Sequence, residues 1–336
     1  MTQTRYRALK TYLDSVGATL PPLQFIGMVS NLYHRFEAEH YNNRHPEIFK
    51  SVTQQHWQEL LQSIAAEMPA EIDVLDLGCG TGFASLMALR YLGADRIHRL
   101  LCADPSTEML EKSRAALQEA GFQVEYVAGF IETVRQRNEH FDLILTNSVI
   151  HHVFDLDSFF AQIGALLNTD GFYIAGHEPN ASHVAVAQVY VCNRLYRQLR
   201  RLRRRLNLRV AVRGILRRAG MRAQPTTISD RVNEALLAAG EIRQRLEPAA
   251  ISKMVDIHVP TIHAERYPWG LPGLDPAGLL AYMPGLSLVA SRTYHHIKGY
   301  DGLRFPWNWL DQRLAAVYPE AGADFIAVYQ KRSSDL

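Results

Sequence analysis

The sequence is poor in cysteine and has no long apolar run. Its 336 residues contain three cysteines, none in a CxxC or metal-ligand spacing, which argues against a disulfide framework and favours a reducing compartment. No run of about 18 apolar residues occurs, so we expect no membrane span. Residues 1–10 are polar and lack the apolar segment of a signal peptide. We therefore expect a cytoplasmic protein.

Acidic residues are absent between Glu178 and Asp230, although the whole chain has a net charge of only +2. Twelve arginines lie in this interval, from Arg194 to Arg222, around apolar residues at helical spacing. One interpretation is a solvated basic helix that packs on the core. The alternatives are that this segment recruits an acidic or carrier-bound substrate, contacts nucleic-acid phosphates, or lies on an anionic membrane surface.

Between residues 72 and 175, short apolar runs alternate with longer amphipathic segments. This alternation predicts a parallel sheet covered by helices on both faces, with right-handed crossovers. The predicted strands are Val74–Leu77, Leu100–Ala103, Val124–Val127, Asp142–Thr146 and Phe172–Ala175, and the predicted helices are Thr81–Tyr91, Ser106–Ala120, Ile131–Arg137 and Leu156–Leu167. Two later strands, Leu286–Tyr294 and Asp324–Tyr329, are expected to close the sheet as an antiparallel pair.

These patterns divide the chain into four parts. Residues 1–69 predict a helical cover, and residues 70–180 predict the α/β core. Residues 181–280 predict a helical cap, inserted before the last strands, that contains the arginine-rich segment. Residues 281–336 supply the final antiparallel strand pair that completes the core.

One stretch of the core predicts a cofactor loop. The strand Val74–Leu77 contains Asp76, and glycines then alternate over Gly78–Gly82 before a helix begins. Glycine allows positive φ and lets a ligand approach the backbone closely, and the helix N-terminus offers free N–H groups. Asp104 ends the next strand, where a carboxylate accepts hydrogen bonds from ribose hydroxyls. A nucleotide-like cofactor is therefore expected, and at this point a dinucleotide remains an alternative.

The fourth strand separates these alternatives. Phe141–Asn147 continues into Ser148–Val153, which contains two adjacent histidines, and Leu166–Gly171 turns into the fifth strand. Together with the glycine turn and Asp104, these motifs resemble those of class I S-adenosylmethionine-dependent methyltransferases. The resemblance covers about residues 72–179 and the final strand pair. It implies a Rossmann-like α/β fold with a seven-stranded mixed sheet, helices on both faces, a helical N-terminal cover and a helical insertion.

The resemblance implies that S-adenosylmethionine is the cofactor, that S-adenosylhomocysteine is its product, and that no metal is needed. In this family the glycine turn holds the methionine end, an acid after the second strand binds the ribose, and the end of the third strand frames the adenine. The fourth strand ends beside the sulfonium, and an N-terminal aromatic residue often closes over the cofactor. The matching residues are Tyr41, Asp76, Gly78, Cys79, Gly80, Asp104, Pro105, Gly129, Phe130, Ile131, Asn147 and Ser148.

Catalysis with such a cofactor depends mainly on placing a nucleophile in line with the S–CH₃ bond, at about 3 Å. A base is needed when the nucleophile carries a proton of high pKa. The histidines closest to the strand ends are His151, His152 and His177, and we take these as the candidate catalytic residues. The alternative is that they pack structurally.

A later segment predicts the wall of an acceptor chamber. His258, His263 and Trp269 are the candidate substrate-binding residues, in a stretch rich in aromatic residues and proline. Asp256, His258 and His263 also have the donor types of a zinc or iron site. Their spacing matches no strong metal motif, so no metal is assigned and the question stays open.

The expected function is methyl transfer to an O, N or C atom of a small organic acceptor, of the kind found in natural-product biosynthesis, because a capping insertion suits a small molecule. One alternative is methylation of RNA or a protein partner through the arginine-rich helix. Another is a non-methylating cyclisation or rearrangement on bound S-adenosylmethionine. Nucleic acid is disfavoured because the fourth strand lacks the Asn/Asp-Pro-Pro-aromatic pattern of base methyltransferases. A homodimer is left open.

Overall fold

The computed structural model describes residues 3–45, 48–49, 51–205, 226–259, 269, 273–299 and 302–332. At its centre is a seven-stranded sheet in the order β3-β2-β1-β4-β5-β7-β6. The strands are β1 Ile72–Leu77, β2 Ile97–Asp104, β3 Glu125–Ala128, β4 Phe141–Asn147, β5 Leu167–Pro179, β6 Leu286–Tyr294 and β7 Asp324–Lys331. Strands β1 to β5 pair in parallel, whereas β7 runs antiparallel to both β5 and β6. The predicted mixed sheet is confirmed.

Helices cover both faces of the sheet. In the described ranges they are α1 Gln3–Ser15, α2 Pro22–Glu37, α3 Tyr41–Arg44, α4 Ser51–Ile64, α5 Phe83–Leu92, α6 Thr107–Glu119, α7 Ile131–Arg135, α8 Leu156–Leu166, α9 Ser182–Ala185, α10 Ala187–Arg205, α11 Ile228–Ala238, α12 Pro248–Val255 and α13 Trp307–Val317. Two buried apolar clusters, one on each face of the sheet, form the main core. No helix among the described residues is long and apolar enough to cross a membrane.

Several element ends differ from the predicted ones, and two of these differences bear on the site. Helix α5 begins at Phe83, not at Thr81, because its N-cap residue Gly82 has φ 87°, in the left-handed region that a helix does not enter. Strand β5 extends to Pro179, well beyond the predicted Ala175, because it keeps pairing with β7 through Pro179. The longer strand includes Glu178, a residue of the site described below.

The helices outside the sheet separate into two groups. A third buried cluster joins α1 and α2 to α11 and α12, so helices from the N-terminal region and from the insertion before β6 form one body over the carboxyl edge of the sheet. Helix α10 lies elsewhere, because Val189 packs with Ile297, Leu314 and Ala321 in a separate small cluster.

Candidate active site

A cavity of about 890 Å³ opens where the carboxyl ends of β1, β2 and β4 diverge. Neighbouring strands β2 and β4 flank β1 on opposite sides, and ligands of open α/β sheets bind at such a point. We call this cavity the cleft. Its lining contains eleven of the twelve residues predicted to hold the cofactor, namely Tyr41, Gly78, Cys79, Gly80, Asp104, Pro105, Gly129, Phe130, Ile131, Asn147 and Ser148.

The glycine turn forms the floor of the cleft. The N–H groups of Gly78 and Cys79 donate to the carbonyl of Ala103, at 2.7 and 3.1 Å, which ties the turn to β2. A Cβ added at Gly78 would lie 2.6 Å from Val149 Cγ2, so glycine is required there for packing as well as for its φ of 69°. At Gly80, with φ 52°, an added Cβ would meet nothing within 4 Å, and the backbone is therefore open to a ligand.

Asp104 lies beside this turn and is 8% exposed. Its Oδ2 accepts a hydrogen bond from Gly80 N at 2.9 Å, and its Oδ1 accepts one from Ser106 N at 2.8 Å. Burial raises the pKa of Asp104, and the two backbone donors oppose that shift. Each carboxylate oxygen carries two lone pairs, so both can accept a second hydrogen bond from a ligand.

Asp76, the twelfth predicted residue, does not line the cleft. It is fully buried beneath the turn, where its Oδ2 accepts hydrogen bonds from Ser85 N and Ser85 Oγ at 3.0 and 2.6 Å. Its Oδ1 has no hydrogen-bond partner. Burial raises the pKa of Asp76 to about 6. Asp76 was expected to hold the methionine end together with the glycine turn; in this structure it lies outside the cleft lining, and its hydrogen bonds to Ser85 fix the first turn of α5.

Helices α2 and α3 form the roof of the cleft. Gly27, Asn31 and His34 lie on the face of α2 that lines it, and Asn42 of α3 accepts a hydrogen bond from Thr81 Oγ1 at 3.1 Å. Buried Glu37 fastens the two helices together, because its carboxylate lies 3.0 Å from Arg44 Nε and 3.2 Å from His45 Nε2. Burial opposes ionisation, but hydrogen bonds from His34 and His45 lower the pKa of Glu37 to about 2.

The end of β4 is held by residues from other elements. Trp57 Nε1 donates to Asn147 Oδ1 at 3.2 Å and so orients the amide at the cleft wall. Ser148 follows with φ 60°, and its hydroxyl donates to the carbonyl of His177 at 3.2 Å. Thr146, expected beside the reactive centre, is fully buried and bonds the Tyr173 hydroxyl at 2.8 Å. The polar wall therefore begins at Asn147.

His151 is paired with a fully buried carboxylate. Its Nδ1 lies 2.8 Å from Glu178 Oε2, and Glu178 also accepts the backbone N–H groups of Val149, Ile150 and His151 at 2.7, 2.8 and 3.1 Å. Burial works against the charged imidazole, but the Glu178 carboxylate raises the pKa of His151 above its ordinary value. These four bonds fix both the loop and the ring. His151 Nε2 lies 4.0 Å from Asp256 Oδ1.

His152 lines the cleft and lies against His151, with ring centroids 3.9 Å apart. Its Nδ1 bonds the carbonyl of Val255 at 2.8 Å, and its ring meets that of His34 edge-on at 4.8 Å. Burial and the neighbouring His151 hold the pKa of His152 well below its ordinary value. His152 is therefore a neutral imidazole that closes the cleft between α2 and α12.

Three other predicted side chains lie away from the cleft, and a fourth lies outside the described residues. His177 bonds Tyr294 Oη through Nδ1 at 3.1 Å, next to His295. His258 is fully buried beneath the β4 loop, where its Nε2 bonds the carbonyl of Val153 at 2.8 Å and burial lowers its pKa to about 3. Trp269 is 1% exposed and packs in the helical cluster against Tyr12. His263 is the residue outside the described ranges.

Sequence reasoning missed Glu178 and the cleft-facing side of α2. Glu178 could have been found from its place near the end of β5, because the carboxyl ends of neighbouring parallel strands meet at one edge. Gly27, Asn31 and His34 repeat at intervals of four and three residues, which is the spacing of one helix face. The shared helix face of these three residues was a usable signal.

A family model described as a methyltransferase domain matches residues 74–171. The ubiquinone biosynthesis O-methyltransferase of Azorhizobium caulinodans is 33% identical over 101 residues, which cover 30% of this chain and 38% of that protein. The same enzyme of Methylobacterium sp. is 33% identical over 112 residues, which cover 33% and 43%. The chain thus spans less than half the length of these curated relatives.

Among solved structures, the chain is similar to an S-adenosylmethionine-dependent methyltransferase from Clostridium acetobutylicum. The two are 19% identical with a TM-score of 0.36, and the alignment covers 43% of this chain and 60% of that chain. Because this structural similarity is low, the similarity of residues 74–171 to methyltransferases rests on the family model and the curated relatives.

Proposed function

We propose that this chain, whose core belongs to the class I S-adenosylmethionine-dependent methyltransferase family, transfers a methyl group to an oxygen of a small protic acceptor. The observation that carries the proposal is the His151–Glu178 pair, a base held by a buried carboxylate. The His151 ring lies 3.9 Å from that of His152, which lines the cleft. The relatives are named O-methyltransferases, which makes a phenolic hydroxyl the first acceptor to test.

The cleft suits the cofactor in size and in chemistry. About 890 Å³ is ample for one nucleoside-sized ligand together with a small acceptor. The buried Asp104 carboxylate retains acceptor capacity for ribose hydroxyls, and the open backbone at Gly80 allows close approach. Phe130, half exposed on the cleft wall, offers an apolar face to an adenine ring.

The proposed roles follow this arrangement. Asp104 holds the ribose, Gly129 to Ile131 frame the adenine, and the turn from Gly78 to Gly80 with Asn147 surrounds the methionine end. Tyr41 of α3 closes over the site. Asp76 acts as a positioning residue, because it holds Ser85 and hence the first turn of α5.

S-adenosylmethionine supplies a methyl group already activated by its sulfonium, so the chain must orient an acceptor and receive its proton. Glu178 accepts a hydrogen bond from the Nδ1–H group of His151. The other ring nitrogen, Nε2, is then free of a proton and can take up the proton of the acceptor hydroxyl. The buried carboxylate also stabilises the imidazolium that forms. The rings of His152 and His34 meet edge-on and exclude water from this corner of the cleft.

Cofactor binding is tested by calorimetry with S-adenosylhomocysteine. Asp104→Ala is expected to abolish measurable binding, because it removes both the ribose acceptor and the support of Gly80 and Ser106. Asp73 lies at the amino end of β1, away from the cleft at the carboxyl end of the same strand. Asp73→Ala is therefore the matched control. Unchanged affinity of the Asp104 variant would remove the ribose assignment.

The base is tested with labelled S-adenosylmethionine and a panel of catechols, phenols, amines and 1,3-dicarbonyl compounds. His151→Gln should lower the turnover of protic acceptors by about 10²–10⁴-fold while leaving S-adenosylhomocysteine affinity unchanged. The loss of turnover in His151→Gln should be smaller for acceptors that are already ionised at the assay pH. Equal losses for acceptors of high and low pKa would argue for a structural role of His151. Label found only in RNA or protein would refute a small acceptor.

A further inference from the structure

Helix α10 exposes a stripe of large apolar side chains. We call Val191, Leu195, Leu199 and Leu202 the α10 stripe; their exposed fractions are 59%, 48%, 46% and 52%. Intervals of four, four and three residues place them on one face of the helix. The proposed function does not use this face, because none of the four lines the cleft.

The opposite face of α10 is firmly packed, which fixes the orientation of the stripe. Val189 is fully buried, and Tyr196 meets Trp307 edge-on at 5.2 Å. Asn193 donates to the carbonyl of His296 at 2.6 Å and accepts from Lys298 N at 2.8 Å. The α10 stripe therefore points outward from a helix that the core already holds.

Three of the arginines that flank the stripe have no acidic partner among the residues that the structure describes. Arg194, Arg201 and Arg203 are exposed and form no ion pair with any side chain in the described part of the chain. No acidic residue occurs anywhere between Glu178 and Asp230, so none is available nearby in sequence. The helix thus combines an outward apolar face with unneutralised positive charge.

We infer that α10 docks on an anionic lipid surface, with the stripe in the acyl boundary and the arginines among the headgroups. A basic helix with leucine along one face has the composition of an interfacial helix. Nucleic acid would use the arginines but leave the leucines exposed to water. A second copy of this chain would bring two arginine-rich faces together, where like charges repel.

Exposed aromatic residues adjoin the same part of the molecule. Phe305 is 80% exposed and Trp309 is 50% exposed, and both lie at the start of α13, whose Trp307 packs against Tyr196 of α10. Aromatic rings of this kind favour the boundary between headgroups and acyl chains. The contact that joins α13 to α10 lies on the packed face of α10, so the inference rests on the α10 stripe and the arginines and does not depend on these rings.

The inference is tested by flotation of the full chain with vesicles of phosphatidylcholine containing about 30% phosphatidylglycerol, against phosphatidylcholine alone. We expect binding to the anionic vesicles that is at least about tenfold stronger and that weakens with salt. Two double variants separate the two contributions. Leu195→Ser with Leu199→Ser tests the stripe, and Arg194→Gln with Arg201→Gln tests the charge; each should lower binding about tenfold or more.

Matched controls use exposed residues on other faces. Val289→Ser with Val52→Ser removes exposed apolar surface, and Arg7→Gln with Arg90→Gln removes the same charge; neither pair should change vesicle binding. Far-UV circular dichroism confirms that each variant is folded. Equal binding to neutral vesicles, or equal losses in test and control pairs, would overturn the inference.

The competing partners give different results. RNA binding that survives the leucine substitutions, with no vesicle binding, would assign the surface to nucleic acid. A sedimentation-detected dimer that dissociates in the leucine variant would assign it to a second copy. Either result refutes lipid docking and leaves the proposed methyl transfer untouched, because the cleft does not contain these residues.

Discussion

Replacing Gly176 with alanine tests how the cleft wall is supported. A Cβ at this position would lie 2.3 Å from Trp57 Cζ2 and 2.8 Å from Trp57 Cε2, whereas carbon atoms pack at about 3.5–4.0 Å. The indole must therefore move by about 1 Å or more. Trp57 is fully buried and meets Phe83 edge-on, so little free space surrounds it.

Two terms set the expected loss of stability in Gly176→Ala. Overpacking a filled core costs about 1–3 kcal/mol, and displacing Trp57 weakens its hydrogen bond to Asn147, worth about 0.5–1.5 kcal/mol. We expect Gly176→Ala to lower the free energy of unfolding by about 2–4 kcal/mol, measured by urea denaturation. Affinity for S-adenosylhomocysteine should fall as well, because Asn147 loses its orientation at the cleft wall.

The control is Gly164→Ala on α8, where the new Cβ makes only an ordinary contact, 3.9 Å from Leu286 Cδ1. This change should be neutral or stabilising by up to about 1 kcal/mol, since alanine favours a helix over glycine. Trp57→Phe provides a double-mutant cycle, because the smaller ring vacates space beside residue 176. Strictly additive effects of Gly176→Ala and Trp57→Phe would refute the steric argument.

Three further predictions concern stability. Glu37 has a pKa near 2, against an ordinary value of 4.5. It should therefore contribute about 3 kcal/mol to the free energy of unfolding above pH 4.5, and this contribution should disappear as the pH falls toward 2. In urea titrations, the stabilities of Glu37→Gln and the wild type should converge on acidification. Asp76, with a pKa near 6, should make stability fall by about 3 kcal/mol as the pH rises from 4 to 6, and a slope retained in Asp76→Asn would contradict this. Thr227→Ala should cost about 1 kcal/mol through loss of its capping box, with exposed Thr226→Ala as the neutral control.

The parts of the molecule that sequence predicts well are those whose causes are local. The glycine turn directly follows buried strand β1, and Asp104 is the last residue of buried strand β2. The strand alternation by itself brings the two strand ends together. Both lie at the cleft as expected, although their contact with a cofactor stays a prediction. The centres of the strands also follow from local apolar runs, but their ends do not. Strand β2 begins at Ile97, before the predicted Leu100, and the extension of β5 depends on distant β7.

The parts that could not be predicted depend on contacts between distant segments. His151 meets Glu178 because β4 and β5 are neighbours, with Asn147 opposite Gly176. Trp269 and His258 carry residue types common in binding sites, yet they fill the space beneath the helical cover. Nothing in their own neighbourhood of the sequence indicates burial, which arises from packing against α1, α2 and the β4 loop.

The double contact of α2 has a thermodynamic consequence. One face of this helix lines the cleft, and another packs against α11 and α12. Asp256 directly follows α12, and its carboxylate lies 3.6 Å from His152 Nδ1. A ligand that favours one placement of α2 must therefore favour one arrangement of the acceptor corner. For the proposed cofactor and acceptor, we therefore expect each ligand to alter the affinity of the other by the same factor.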